Sequence, residues 1–171
     1  LIPLIETALG IENAFQIASA CPRVKAIFLG GEDLTADLHC KRTKEGEEIA
    51  YARSRMVCAA RAAGVEVYDT PFTDVHDDEG IYTDAKKAKS LGFTGKSAIS
   101  PRHVKAINEV FSPSLQDIEY AYEVMEAIRI GKEQGKGAVS LRGKMIDAPI
   151  VARAMQTIEA AEALGLGRED V

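Results

Sequence analysis

Over its first 112 residues the chain repeats one pattern four times: a short apolar run, then a stretch whose apolar residues recur every three or four positions. Runs at 2–7, 26–31, 65–70 and 96–100 predict strands, and the stretches between them predict amphipathic helices. The second helix shows the period best. Ile49, Ala52, Met56, Ala59 and Ala63 form its apolar stripe, and Arg53, Arg55 and Arg61 are assigned to other faces. Gly64 stands where a C-terminal cap belongs, and Leu91-Gly92 ends the helix predicted over 79–90 in the same way. Ser100-Pro101 places a capping residue before a proline at the first helical position. Strand starts at 2, 26, 65 and 96 suit βα units joined by right-handed crossovers.

The alternation stops after residue 112. Ser114 and Asp117 have the spacing of a capping box, and Ile118, Ala121, Tyr122, Met125 and Ile128 stripe a long helix. Residues 131–137 read as a Gly/Lys-rich connector to a short hairpin, 138–141 and 144–146, which turns at Arg142-Gly143. A last helix from about Ala148 carries Val151, Ala154, Ile158 and Ala161 on one face, and 165–171 read as a frayed tail. The expected organisation is α/β over 1–112 and a C-terminal helical extension with a short hairpin over 113–171. Four βα units are half of a (β/α)8 TIM barrel, which needs roughly 200 residues or more. The chain also opens on a strand, with neither a methionine nor a lead-in helix, so it is expected to supply about the last four βα units of such a barrel. A small open sheet of four or five strands is the alternative.

Composition narrows the setting. At 171 residues, 46% hydrophobic and with a net charge of −5, the chain has enough apolar content for a packed core and no basic bias toward nucleic acid. No run approaches a membrane span and no signal peptide is evident, so a cytoplasmic protein is expected. The three cysteines show no CxxC spacing, which argues against a zinc knuckle or a disulfide framework.

Candidate chemistry gathers at the ends of the first two strands. Glu6 follows Leu4-Ile5, and Asp33 follows the run that ends in Gly30-Gly31. Parallel neighbours lie roughly 5 Å apart, so acids at their carboxyl ends can share one hard cation where α/β folds build their sites. The paired glycines beside an acid suit close approach of a ligand. With no histidine or cysteine nearby, the donors favour Mg²⁺ or Mn²⁺ over zinc. The other reading of Glu6 and Asp33 is that of ordinary polar residues at strand ends. Glu32 and Asp37 are weaker candidates, Asp37 suiting a solvated position or a helix cap. Asp147, just before Ala148-Pro149, is read either as an N-cap or as a loop acid/base. Asp74, Asp77, Asp78 and Glu79 look like an acidic helix start. The glycines of 131–137 fall one residue short of a phosphate loop and follow a helix where a strand is needed. His39, His76 and His103 sit in no triad-like setting.

Taken together, Ile5-Glu6-Thr7, Gly30-Gly31-Glu32-Asp33-Leu34, Tyr51-Ala52-Arg53-Ser54-Arg55, the stretch 64–70, Gly92-Phe93-Thr94-Gly95-Lys96 and Val110-Phe111-Ser112-Pro113 resemble the citrate lyase β-subunit group of the HpcH/HpaI aldolases. The likeness is to the carboxyl-terminal part of those proteins and spans nearly the whole chain. It implies a (β/α)8 barrel, a trimeric homo-oligomer, and cleavage of citryl-CoA or citryl bound to an acyl carrier, giving oxaloacetate and an acetyl thioester. It also implies Mg²⁺ held by Glu6 and Asp33, and partnership with citrate lyase α and acyl-carrier subunits. The stretch 139–149 resembles the acyl-CoA branch more narrowly, and there the acid matching Asp147 acts as catalytic acid or base across a subunit boundary. Two departures stand out. Many relatives carry His-Pro-Ser-Gln where this chain has Ser100-Pro101-Arg102-His103, and the oxyanion-binding arginine of an early strand has no counterpart, so the isolated chain is expected to be inactive. A malyl-CoA, citramalyl-CoA or other β-hydroxyacyl-CoA lyase and a non-catalytic assembly surface are the competing functions.

Overall fold

In the computed structural model, which describes residues 1–135 and 137–166, β1 (Leu4–Ile5), β2 (Ala26–Leu29), β3 (Glu66–Asp69) and β4 (Gly95–Lys96) form one parallel sheet in the order β1-β2-β3-β4. Its register pairs Leu4 with Phe28, Phe28 with Tyr68, and Tyr68 with Gly95 across one face. Ile5, Ile27, Leu29 and Val67 point to the other face and are buried against helices. All four strands are shorter than their apolar runs, and β4 keeps only the first residue of 96–100, because the flanking residues leave the ladder to turn toward helices.

The connections are α1 (Ala8–Glu12) and α2 (Ala14–Ala18) after β1, α3 (Gly31–Asp37) and α4 (Ala50–Ala63) after β2, α5 (Asp78–Leu91) after β3, and α6 (Pro101–Phe111) after β4. One 3₁₀ turn, Glu47–Ile49, leads into α4. Gly64 ends α4 at φ +69°, and the Val65 amide reaches back to the Ala60 carbonyl, so orphan carbonyls of the last turn are satisfied. Asp77 caps α5 by accepting from the Gly80 amide, with Asp78 and Glu79 in the first turn. These elements make up a unit spanning Leu1–Phe111.

The second unit, Ser112–Val171, contains α7 (Leu115–Glu133), β5 (Val139–Leu141), β6 (Lys144–Ile146) and α8 (Ala148–Ala163). Ser114 and Asp117 form the reciprocal capping box. Ala121 and Val124 of α7, Ile146 of β6 and Ala154 of α8 make the core. Arg142 at φ +49° and Gly143 at φ +76° fit a type I′ turn, whose twist matches that of the hairpin strands. Gly131 is not in the connector its sequence suggests. It is helical and buried, the side chain of Val139 fills the place a Cβ would take, and α7 runs on to Glu133. Of the tail read as frayed, 167–171 lie outside the described residues.

Candidate functional site

Glu6 leaves β1 at its carboxyl end, and the Gly30 amide donates to the Ile5 carbonyl at 2.9 Å, which holds the two strand ends in step. A Cβ on Gly30 would lie 2.8 Å from the Glu6 Cβ and 2.9 Å from its Oε2. The bare backbone is therefore what lets the carboxylate lie across the end of β2. Gly30 is also the N-cap of α3, which places Asp33 in the first turn of that helix, exposed at the same end of the sheet. Among the described residues, neither the Glu6 nor the Asp33 carboxylate has a hydrogen bond or ion pair, and no cluster of three or more His, Cys, Asp or Glu side chains is placed to hold a metal. A pair of carboxylates suits Mg²⁺, which usually keeps waters and takes oxygens from its substrate instead of a full protein cage. The donor set and the glycine cradle thus fit a hard divalent cation.

The other acids nearby are occupied. Asp37 accepts from the Ala8 amide at 2.7 Å, which caps α1 and ties it to α3. Glu32 faces Arg42 at 3.7 Å. Arg42 in turn donates to Glu48 at 2.6 Å, and Glu48 also accepts from the Thr43 amide and hydroxyl, which closes the loop between α3 and the 3₁₀ turn. Burial alone would push the Glu48 carboxyl up, yet these donors outweigh it and hold the group well below its usual range, at about 2. Asp74 and Asp77 share Lys44 at 2.6 and 2.9 Å, and their hydrogen bonds push the ammonium up to about 12.

Beneath the strand ends lies a feature that the sequence pattern assigned wrongly. Arg53 is fully buried, whereas the stripe of α4 left it on another face. It donates through Nε and Nη2 to both oxygens of Asp69 at 2.9 and 2.8 Å, and through Nη2 to Asp84 at 2.8 Å. Lys96 completes the tetrad, 2.8 Å from Asp69 and 2.5 Å from Asp84. Burial works against the charged form of Asp84, but Lys96 and Arg53 overcome it and hold the carboxyl below its ordinary range. One signal was available. Arg53 is four residues after Ile49 and three before Met56, and so lies on the helix face that those two bury. His103 is another core residue, fully buried against Phe72 with both ring nitrogens unpartnered.

In the second unit Asp147 is the N-cap of α8, accepting from the Ile150 amide at 3.1 Å, and its side chain remains exposed. The capping reading therefore holds, and an exposed carboxylate is still open to other work.

Residues 1–101 match the family described as HpcH/HpaI aldolase/citrate lyase. The citrate lyase subunit beta of Leuconostoc mesenteroides subsp. cremoris is 41% identical over 163 residues, covering 95% of this chain and 54% of that protein. The mitochondrial citramalyl-CoA lyase of Homo sapiens is 33% identical over 172 residues, covering 96% of this chain and 51% of that protein. Among solved structures, the CitE protein of Mycobacterium tuberculosis in complex with magnesium, acetoacetate and coenzyme A superposes with a TM-score of 0.79 at 30% identity, covering 94% of this chain and 60% of that one. The chain spans about half the length of the curated relatives it matches.

Proposed function

Because this chain belongs to the HpcH/HpaI aldolase/citrate lyase family, we propose that the full-length protein carrying it is a Mg²⁺-assisted lyase that splits a citryl thioester into oxaloacetate and an acetyl thioester. The observation that carries this reading is the Glu6 carboxylate laid across Gly30, with Asp33 in the first turn of the helix that Gly30 caps, at the carboxyl ends of two paired parallel strands. Glu6 and Asp33 would hold Mg²⁺ or Mn²⁺, and when bound that ion supplies positive charge to the alkoxide and carboxylate oxygens of a β-hydroxy acid. In the cleavage the alcohol gives up its proton to solvent, its oxygen becomes the ketone oxygen of oxaloacetate, and the electron pair of the broken carbon–carbon bond goes to the α-carbon of the thioester, as an enolate. Asp147 is the group proposed to return a proton to that carbon, and by microscopic reversibility to remove it in condensation. Its exposed position at the start of α8 supports a role in the site of a neighbouring subunit.

The rest of the reading follows the family. The four-stranded parallel sheet is proposed as the last half of a (β/α)8 barrel, in a cytoplasmic homo-oligomer that works with α and acyl-carrier subunits. No described helix is long and apolar enough to cross a membrane. A second substrate is favoured by a specific observation, the 33% identity to a citramalyl-CoA lyase over nearly the whole chain. A malyl-CoA or citramalyl-CoA lyase would use the same cation and the same acid. The deciding experiment couples oxaloacetate release from citryl-CoA to its reduction, in the full-length protein, with Glu6→Ala and Asp147→Asn beside it. Turnover that both changes abolish supports the citryl reading. Turnover of citramalyl-CoA or malyl-CoA alone moves the substrate, and silence on all three refutes the proposal.

A further inference from the structure

The first-turn amide of Gly31 in α3 has no intrahelical acceptor, and the residue that satisfies it stands just past the end of β3. Gly31 donates to the Thr70 hydroxyl at 3.0 Å within the buried interior. A Cβ on Gly31 would sit 2.7 Å from Thr70 Oγ1 and 3.1 Å from its Cγ2, so the threonine occupies all the space the glycine leaves. Thr70 is itself held by a second bond, since its carbonyl accepts from Lys96 Nζ at 2.6 Å. Lys96 is fixed by Asp69 and Asp84, and both acids by Arg53. A continuous set of bonds therefore runs from four buried charges through Thr70 to the first residue of α3. Gly30, one residue earlier, carries Glu6 against its backbone, and Asp33 is two residues further on.

We infer that Thr70 is a positioning residue for the cation site, acting through the Gly31 amide to set where the first turn of α3 presents Asp33 relative to Glu6. This rests on the proposed role of Glu6 and Asp33 and deepens it. The physical argument is one of tolerance. A hard cation with short oxygen bonds demands near-ideal geometry, and removing the outer partners that orient its ligands typically lowers metal affinity by about tenfold to a hundredfold. Thr70→Val keeps shape and methyl packing but removes the acceptor, so the Gly31 amide is buried unpaired and the turn is free to shift. Thr70→Ser keeps the acceptor.

The test is Mn²⁺ binding to the full-length protein, read from the electron paramagnetic resonance signal of the free ion, with thermal unfolding and the split between kcat and KM measured on the same samples. The expected result is Mn²⁺ affinity about tenfold weaker in Thr70→Val, restoration to within about twofold by Thr70→Ser, and a KM that rises with the Mn²⁺ dissociation constant. Thr70→Val with unchanged Mn²⁺ affinity overturns the inference, whatever its melting temperature. Should Thr70→Val fail to fold, Gly31→Ala decides by the same criterion, because its methyl would push against an intact Thr70. Glu6→Gln separates the two levels of argument. If the unsubstituted protein binds Mn²⁺ no better than Glu6→Gln, the cation site itself is refuted and the role of Thr70 falls with it.

Discussion

Removing Asp69 should be among the most damaging single changes to this chain. Its carboxylate accepts two bonds from Arg53 and one from Lys96, all between 2.8 and 2.9 Å, and none of the three side chains is exposed. The tetrad is neutral as it stands, two cations against two anions. Asp69→Ala leaves Arg53 and Lys96 facing Asp84 alone, one uncompensated positive charge in the interior. Breaking a buried pair from one side costs about 3–5 kcal/mol, a large share of the roughly 5–15 kcal/mol that holds a protein folded. With an m-value of about 3 kcal/mol/M, the urea midpoint of the full-length protein should fall by roughly 1 M or more. The control is Arg129→Ala, which removes exposed pairs with Glu126 and Glu133 on α7 and should cost well under about 1 kcal/mol. A loss in Asp69→Ala no larger than the control would refute the reasoning, since it would mean that the four charges are hydrated and not locked in a dry layer.

Three further outcomes are expected. Asp147→Asn keeps a good N-cap and so should leave the melting temperature nearly unchanged while lowering kcat by about 10²–10⁴, whereas Asp147→Ala should lose the same activity and about 1 kcal/mol of stability as well; equal melting of the two variants would contradict the capping role. Gly30→Ala drives a methyl into Glu6 and should weaken Mn²⁺ binding and cost about 1–3 kcal/mol, checked by metal titration and urea unfolding together. Glu48 has its carboxyl depressed from 4.5 to about 2 in the folded state. The unfolded chain therefore takes up that proton first as pH falls, and the contribution of Glu48 is complete above pH 4.5 and fades as pH drops toward 2. Glu48→Gln should flatten the acid limb of a stability–pH curve over that window, and an unchanged limb would show that the Thr43 and Arg42 bonds do not persist in solution.

The sequence determined what short-range chemistry controls. Apolar runs at 26–31 and 65–70 became β2 and β3, Gly64 and Gly92 ended helices in the left-handed conformation, Ser114 with Asp117 formed the capping box, and Asp147 capped α8. Each depends on residues within a few positions of one another, so a pattern suffices to find it. The candidate ligands Glu6 and Asp33 were legible for the same reason, as acids just past two strand runs. Only the tertiary structure decided which acids stay unpaired. It gave Asp37 to the start of α1, Glu32 to Arg42, and Asp69 and Asp84 to Arg53 and Lys96, partners up to 31 residues away. It also put Arg53 inside, where a hydrophobic stripe has no place for a cation, and brought Thr70 under Gly31 across 39 residues. Burying a charge is favourable only once its partners converge, and that convergence is set by strand order and register, which no local spacing encodes.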